Sequence, residues 1–189
     1  VIQKRQATAL EQFTPAVVPQ IEFVKQYQPR LITITAGGND IGFTDILRYC
    51  ASTYGVVLPY TCDYAKEGSE LQKTLYGSID AQYHYTKQLV AKLKDVSPHS
   101  KIVIIGYPSF IAIGAVCGIN DGSLNTRERS AINGALVRLN EALKKVAQDT
   151  SVSYVDVQDS LYGGRMCEGG EYVTEITTLG TAKIRREYF

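Results

Sequence analysis

The chain has 189 residues, of which 44% are hydrophobic and 21% charged, with a formal net charge of +1. At this length one domain over residues 1–189 is expected, and the apolar content is enough for a packed core, which excludes intrinsic disorder. The near-neutral charge balance carries no basic footprint for nucleic acid, and no run approaches the ~18 apolar residues of a membrane span.

The first five residues, Val-Ile-Gln-Lys-Arg, have neither the apolar stretch nor the small-residue cleavage site of a signal peptide. Without a Met at position 1, a processed or excised piece is expected. Residues 7–27 read as a helix, with Leu10, Phe13, Val17, Ile21 and Val24 at three- and four-residue steps. Pro15 and Pro19 kink it or divide it in two, and Pro29 ends it. Residues 31–35, Leu-Ile-Thr-Ile-Thr, form a buried strand that runs into a loop, Ala36-Gly37-Gly38-Asn39-Asp40. Residues 51–68 read as irregular, punctuated by Gly55, Pro59 and Gly68.

Residues 69–96 have a helical pattern on Leu71, Leu75, Ile79, Tyr83, Leu89, Val90 and Leu93, weakened near Gly77 and stopped by Pro98. Lys101 to Gly106 is a second strand, followed by Tyr107-Pro108. Asn125 and Glu128 make a capping box. The helix it opens runs to about Asp149 on Ile132, Leu136, Leu139, Leu143 and Val146. Val152 to Val157 is a third strand, and the remainder is Gly-rich and then polar. Strands alternating with helices predict right-handed crossovers, a parallel sheet and helices on both faces. In such sheets chemistry collects in the loops at the carboxyl ends of the strands, which are residues 36–43, 106–118 and 158–168.

The four cysteines are Cys50, Cys62, Cys117 and Cys167. No C-x-x-C occurs and there are only two His, so a metal site is not expected. Four Cys allow three pairings, the local one being Cys50 with Cys62 and Cys117 with Cys167. Disulfides would mean an oxidising compartment. Reduced, buried thiols are the alternative, but these cysteines sit in Gly- and Tyr-rich stretches and not in apolar core runs.

The first loop is the most informative. Paired glycines permit backbone angles that other residues avoid. An Asn amide donates hydrogen bonds without carrying charge, which suits the developing oxyanion of acyl transfer. Taken alone, Gly37-Gly38-Asn39-Asp40 is more commonly an ordinary strand-to-loop turn. Tyr49, Tyr54, Tyr60 and Tyr64 crowd the segment around the first two cysteines. They could form a stacking wall for a sugar or acyl chain, but packing over a small loop core is the commoner use. Asp156 and Asp159 read as turn formers at a strand end. His84 and His99 read as surface or packing residues, and Ser78, Ser109, Ser123 and Ser130 lie in no G-x-S-x-G elbow.

The surrounding residues give the first loop its meaning. Residues 29–43, Pro-Arg-Leu-Ile-Thr-Ile-Thr-Ala-Gly-Gly-Asn-Asp-Ile-Gly-Phe, resemble the third block of the SGNH (GDSL) hydrolases. That block reads G-x-N-D, and its Asn lends an oxyanion donor. Phe43 to Cys50 and then Cys62 resemble the disulfide loop that follows the block. Val103-Ile104-Ile105-Gly106-Tyr107-Pro108 resembles the next strand, ending in G-Y-P. Val155-Asp156-Val157 and Tyr162-Gly163-Gly164-Arg165-Met166-Cys167 resemble the late strand and second disulfide. The likeness covers roughly residues 8–175.

The chain also departs from the family pattern. No Gly-Asp-Ser occurs, and neither His84 nor His99 fits the D-x-x-H block that holds the acid and base. The chain ends on Phe189, and in many relatives an aromatic residue directly precedes the catalytic His.

The resemblance implies a flavodoxin-like three-layer α/β/α domain with a parallel sheet, truncated at both ends, from a secreted carboxylic-ester hydrolase of the lipase or esterase type. It implies Asn39 and Gly37 in the oxyanion region, Gly38, Asp40 and Tyr107 at the substrate, and Cys50–Cys62 and Cys117–Cys167 disulfides. No cofactor or metal is expected. The expected partners are a small ester, lipid or acylated sugar, and the N-terminal segment of the same protein. The chain by itself is expected to be inactive. The alternatives are a non-catalytic secreted carbohydrate-binding module using the Tyr-rich loops, and a fragment completed by another chain.

Overall fold

A computed structural model of the protein describes residues 19–52, 62–114 and 124–168. In chain order the elements are α1 (Gln20–Tyr27), β1 (Leu31–Ile34), α2 (Phe43–Ser52), a 3-10 turn (Asp63–Ala65), α3 (Glu70–Val96), β2 (Lys101–Ile105), α4 (Thr126–Asp149) and β3 (Ser153–Val155). A helix begins directly after Pro19, as a break of the 7–27 stretch at that proline would have it. Pro19 stands at the N-cap of α1, where a missing N–H costs nothing. The stretch before Pro19 lies outside the described residues. Gln28, in the left-handed region at φ 46°, closes α1 by returning its N–H to the Val24 carbonyl.

Residues 43–50 were expected as loop and are helix. Phe43, Ile46, Leu47 and Cys50 recur at i, i+3, i+4 and i+7, and all four are buried. The α3 helix starts where Ser69 accepts the Gln72 N–H. The α4 helix starts on the capping box, with Asn125 accepting the Glu128 N–H and Glu128 accepting the Asn125 N–H.

The strands form a parallel sheet in the order β1-β2-β3. The register pairs Ile32 with Ile102, Ile34 with Ile104 and Ile104 with Tyr154. Register partners share a face, so these five side chains make one apolar surface. Ile34, Ile102 and Ile104 are buried in it, and Ile32 and Tyr154 pack against the core.

Both crossovers step in the same direction across the sheet. Right-handed connections then put α3 and α4 on the same face. The α4 helix lies on β2 and β3, and α3 packs between α4 and α1. Among the described residues the helical layer covers that face, while Leu31 and Val155 on the other face are 55% and 43% exposed. The parallel α/β arrangement is as expected. Among the described residues, no helix is seen to cover the other face of the sheet.

The Cys50–Cys62 disulfide joins α2 to the 3-10 turn across a separation of 12 residues. Both cysteines are fully buried, against Phe43, Ile46 and Ala65. Tyr49 and Tyr64 meet edge to face at 5.6 Å over this corner and pack on the core, as the simpler reading of the Tyr cluster has it. Tyr54 and Tyr60 lie outside the described residues. Cys167 is also disulfide-bonded. Its expected partner, Cys117, lies outside the described residues.

Candidate active site at the carboxyl end of the sheet

β1 ends in a tight turn built from its own backbone. Ile41 N–H donates to the Gly37 carbonyl at 3.0 Å, Gly42 N–H to Asn39 at 3.1 Å and Phe43 N–H to Gly38 at 3.1 Å. Gly37 has φ +112°, a conformation side chains rarely adopt. It is also buried, and a Cβ there would lie 2.8 Å from Gln82 Cγ on α3 and 3.2 Å from Leu139 Cδ1 on α4. The two long helices thus form the floor of the turn. Asn39 stands exposed above it, and among the described residues nothing hydrogen-bonds its side-chain amide. An uncommitted amide at a strand's carboxyl end is free to donate to a ligand.

β2 ends beside this turn. The Tyr107 hydroxyl accepts the Gly38 N–H at 2.9 Å. Burial of the ring pushes its phenol pKa up, the Gly38 N–H opposes the shift, and the nearby Asp40 charge adds to it. Tyr107 is in turn clamped by a buried side chain of α4. Asn140 Oδ1 accepts the Tyr107 N–H at 2.7 Å, and its Nδ2 donates to the Tyr107 carbonyl at 2.8 Å.

The same helix face holds the rest of this segment. Asn133 Nδ2 donates to the Ile111 carbonyl at 2.6 Å, and Arg129 Nη1 to the Ala112 carbonyl at 2.9 Å. Residues 129, 133 and 140 form a polar ladder on one side of α4 that satisfies the backbone of a loop lying on a helix and not in the sheet. The far side of that loop is tied to the third one, through Ser109 N–H to Gln158 and Ala112 N–H to Met166, both at 2.9 Å.

The structure therefore brings together Gly37, Gly38, Asn39, Asp40 and Tyr107, all named from sequence. It does not bring a histidine to them. His99 lies in the turn before β2, at the amino end of the sheet, and His84 is exposed on α3 against the Tyr83 ring. Ser109 is buried in the second loop, and Ser78 and Ser130 lie on helices. Asp156 and Asp159 are exposed, and Asp156 accepts the Gln158 N–H as a turn former does. Ser123 lies outside the described residues. Sequence reading missed Asn140, Asn133 and Arg129. Their only signal was their place, since polar residues four and seven apart fall on the apolar stripe of α4 with Leu136 and Leu139.

Comparison with known proteins gives a consistent result. The profile of the GDSL-like lipase/acylhydrolase family matches residues 6–172. A lipase of Streptomyces rimosus is 29% identical over 149 residues, covering 78% of this chain and 50% of that protein. Lipase 1 of Streptomyces coelicolor is 28% identical over 151 residues, covering 79% and 51%. The chain spans about half the length of the curated relatives it matches. The crystal structure of an extracellular lipase from Streptomyces rimosus aligns with a TM-score of 0.51 at 28% identity, over 78% of this chain and 58% of that one. A phospholipase A1 from Streptomyces albidoflavus aligns with a TM-score of 0.58 over 86% and 66%, but at 23% identity that likeness bears on the fold alone.

Proposed function

This chain belongs to the family of GDSL-like lipases and acylhydrolases, and from that premise we propose that it supplies the oxyanion-stabilising part of a secreted carboxylic-ester hydrolase. A serine attacks the ester carbonyl, and a histidine takes the serine proton and later returns one to the leaving alcohol. Both residues lie elsewhere in the full protein, because the chain contains neither Gly-Asp-Ser nor a fitting D-x-x-H. Asn39 Nδ2 donates to the carbonyl oxygen as it becomes negative. Gly37 and Gly38 shape the turn, and Asp40 and Tyr107 border the ester. Residues 1–189 form part of one domain that the N-terminal segment completes. The substrate is a small ester, a lipid or an acylated sugar.

The observation that carries this reading is the exposed Asn39 amide, unbonded among the described residues, on a hydrogen-bonded turn at the carboxyl end of a parallel strand. A donor fixed before the reaction needs no reorganisation when charge develops, which is where electrostatic catalysis gains most. The buried disulfide supports the secreted assignment. The packed Tyr49–Tyr64 corner gives the carbohydrate-module alternative no stacking wall from those two rings. The test is the full-length protein on nitrophenyl esters. Asn39→Ala is expected to cost about 10²–10³ in kcat with the melting temperature unchanged. Full kcat with a lowered melting temperature would make Asn39 a turn residue and remove the reading.

A further inference from the structure

We propose that Tyr107, anchored by Asn140, is a positioning residue of the oxyanion site: its hydroxyl fixes the Gly37–Gly38 peptide and thereby the direction in which Asn39 presents its amide. This rests on the oxyanion reading of Asn39.

The turn's internal hydrogen bonds use the carbonyls of Gly37, Gly38 and Asn39. They leave the Gly38 N–H, which lies in the peptide joining two glycines, the most freely rotating linkage in the turn. Its acceptor comes from 69 residues away, as the Tyr107 hydroxyl at 2.9 Å. The Tyr107 backbone is held at both its polar groups by one side chain, Asn140, which is 5% exposed and sits in the middle of a 24-residue helix. The path from α4 to the Gly38 amide therefore contains two hydrogen-bonded contacts, and each is set by a part-buried or buried group. Below the same peptide, Gln82 and Leu139 leave no room for Gly37 to move inward. The peptide before Asn39 is thus confined from beneath by packing and from the side by a directed hydrogen bond. Burial keeps the phenol neutral, so the hydroxyl remains a fixed partner through the pH range in which an ester hydrolase works.

The full-length protein tests this as a double-mutant cycle between Tyr107→Phe and Asn39→Ala, read on a nitrophenyl ester. Tyr107→Phe keeps the ring and removes the acceptor. It is expected to lower kcat about tenfold, because small misplacement of a catalytic group costs rate, and to leave KM within about twofold, because the ring that borders the ester is kept. In the Asn39→Ala background its effect is expected to fall below about twofold, since there is then no amide to aim. Equal losses in both backgrounds, or no loss in either, would overturn the proposal while leaving Asn39 as donor. An Asn39→Ala protein of full kcat would overturn the oxyanion reading itself.

A readout independent of turnover is the Gly38 amide. Its hydrogen exchange should quicken at least tenfold in Tyr107→Phe while the β2 amides keep their protection. Unchanged exchange would also sink the proposal. If Tyr107→Phe does not fold, Gly38→Ala approaches the contact from the other side. Its Cβ would press on the Tyr107 hydroxyl at 3.1 Å, and the same loss of kcat without KM is expected.

Discussion

One carboxylate oxygen of Glu128 accepts the backbone N–H of Cys62 at 2.7 Å, and its other oxygen accepts the N–H of Asn125 at 2.9 Å. Glu128 is 2% exposed, so the capping group of α4 also carries the disulfide corner. Removing it strands two backbone donors, one of them against an apolar corner. Glu128→Ala is expected to lower unfolding free energy by about 3 kcal/mol, and Glu128→Gln by about half of that, because an amide oxygen still serves one donor. Urea titration at neutral pH measures both. Equal losses for the two variants would mean that the acceptor oxygen which Gln retains contributes nothing.

The strands and the two long helices were legible because each is a pure periodic signal. Strands β1 and β2 are β-branched runs, and α3 and α4 carry apolar stripes at helical spacing, with a capping box at Asn125. The α2 helix was not read, although Phe43, Ile46, Leu47 and Cys50 have helical spacing. It follows a glycine turn and carries a cysteine in its last turn, both of which are loop signals. The Cys50–Cys62 pairing was legible from proximity in the chain and from resemblance. The turn 37–40 was legible as a candidate site for the same second reason. What holds that turn was not. Asn140 matters only because the loop after β2 runs across α4 and brings Tyr107 over Gly38, a tertiary fact with no local sequence signature.

Gly37 and Gly42 both have positive φ, at 112° and 74°, but only Gly37 is crowded. A Cβ at Gly42 meets nothing within 4 Å, whereas at Gly37 it meets Gln82 and Leu139. Gly42→Ala should therefore show backbone strain alone, about 1–2 kcal/mol. Gly37→Ala adds overpacking and should lose about 2–4 kcal/mol. Thermal melts of the two variants make the comparison. Equal destabilisation would mean that the floor beneath the turn yields easily and does not fix it.

The Glu168 carboxylate accepts from Arg165 Nη2 at 2.5 Å and Nε at 3.0 Å, and from the Arg165 and Gly163 N–H groups at 3.0 and 3.1 Å. The Arg165 side chain first, and these backbone donors after it, pull its pKa from the ordinary 4.5 to about 2. The folded-state pKa is the lower one, so this contribution is fully present above about pH 4.5. It is lost as the pH falls towards 2, where the folded protein takes up the proton as well. The melting temperature of Glu168→Gln should lie below that of the parent at pH 6 and converge on it near pH 2. A gap that persists undiminished at pH 2 would mean that Glu168 acts through packing. The pair closes the loop that carries Cys167, itself at φ 71° and disulfide-bonded.

The chain of residues 1–189 produced by itself should not turn over nitrophenyl butyrate. Asn39, the donor proposed for the oxyanion, stands at the end of β1, but no histidine or serine of the described residues is brought beside it. His99 lies at the opposite end of the sheet, His84 is exposed on α3, and Ser109 is buried with its backbone tied to Gln158. Enzymes stripped of nucleophile and base keep only the residual acceleration of oxyanion hole and binding, about 10³–10⁴ over water, far below a complete triad. Binding of an ester without its cleavage would be consistent with this. Turnover abolished by a serine-directed phosphonate would not. It would place a nucleophile among the serines of this chain, and peptide mapping of the labelled protein would identify which of Ser78, Ser109, Ser123 and Ser130 carries the adduct.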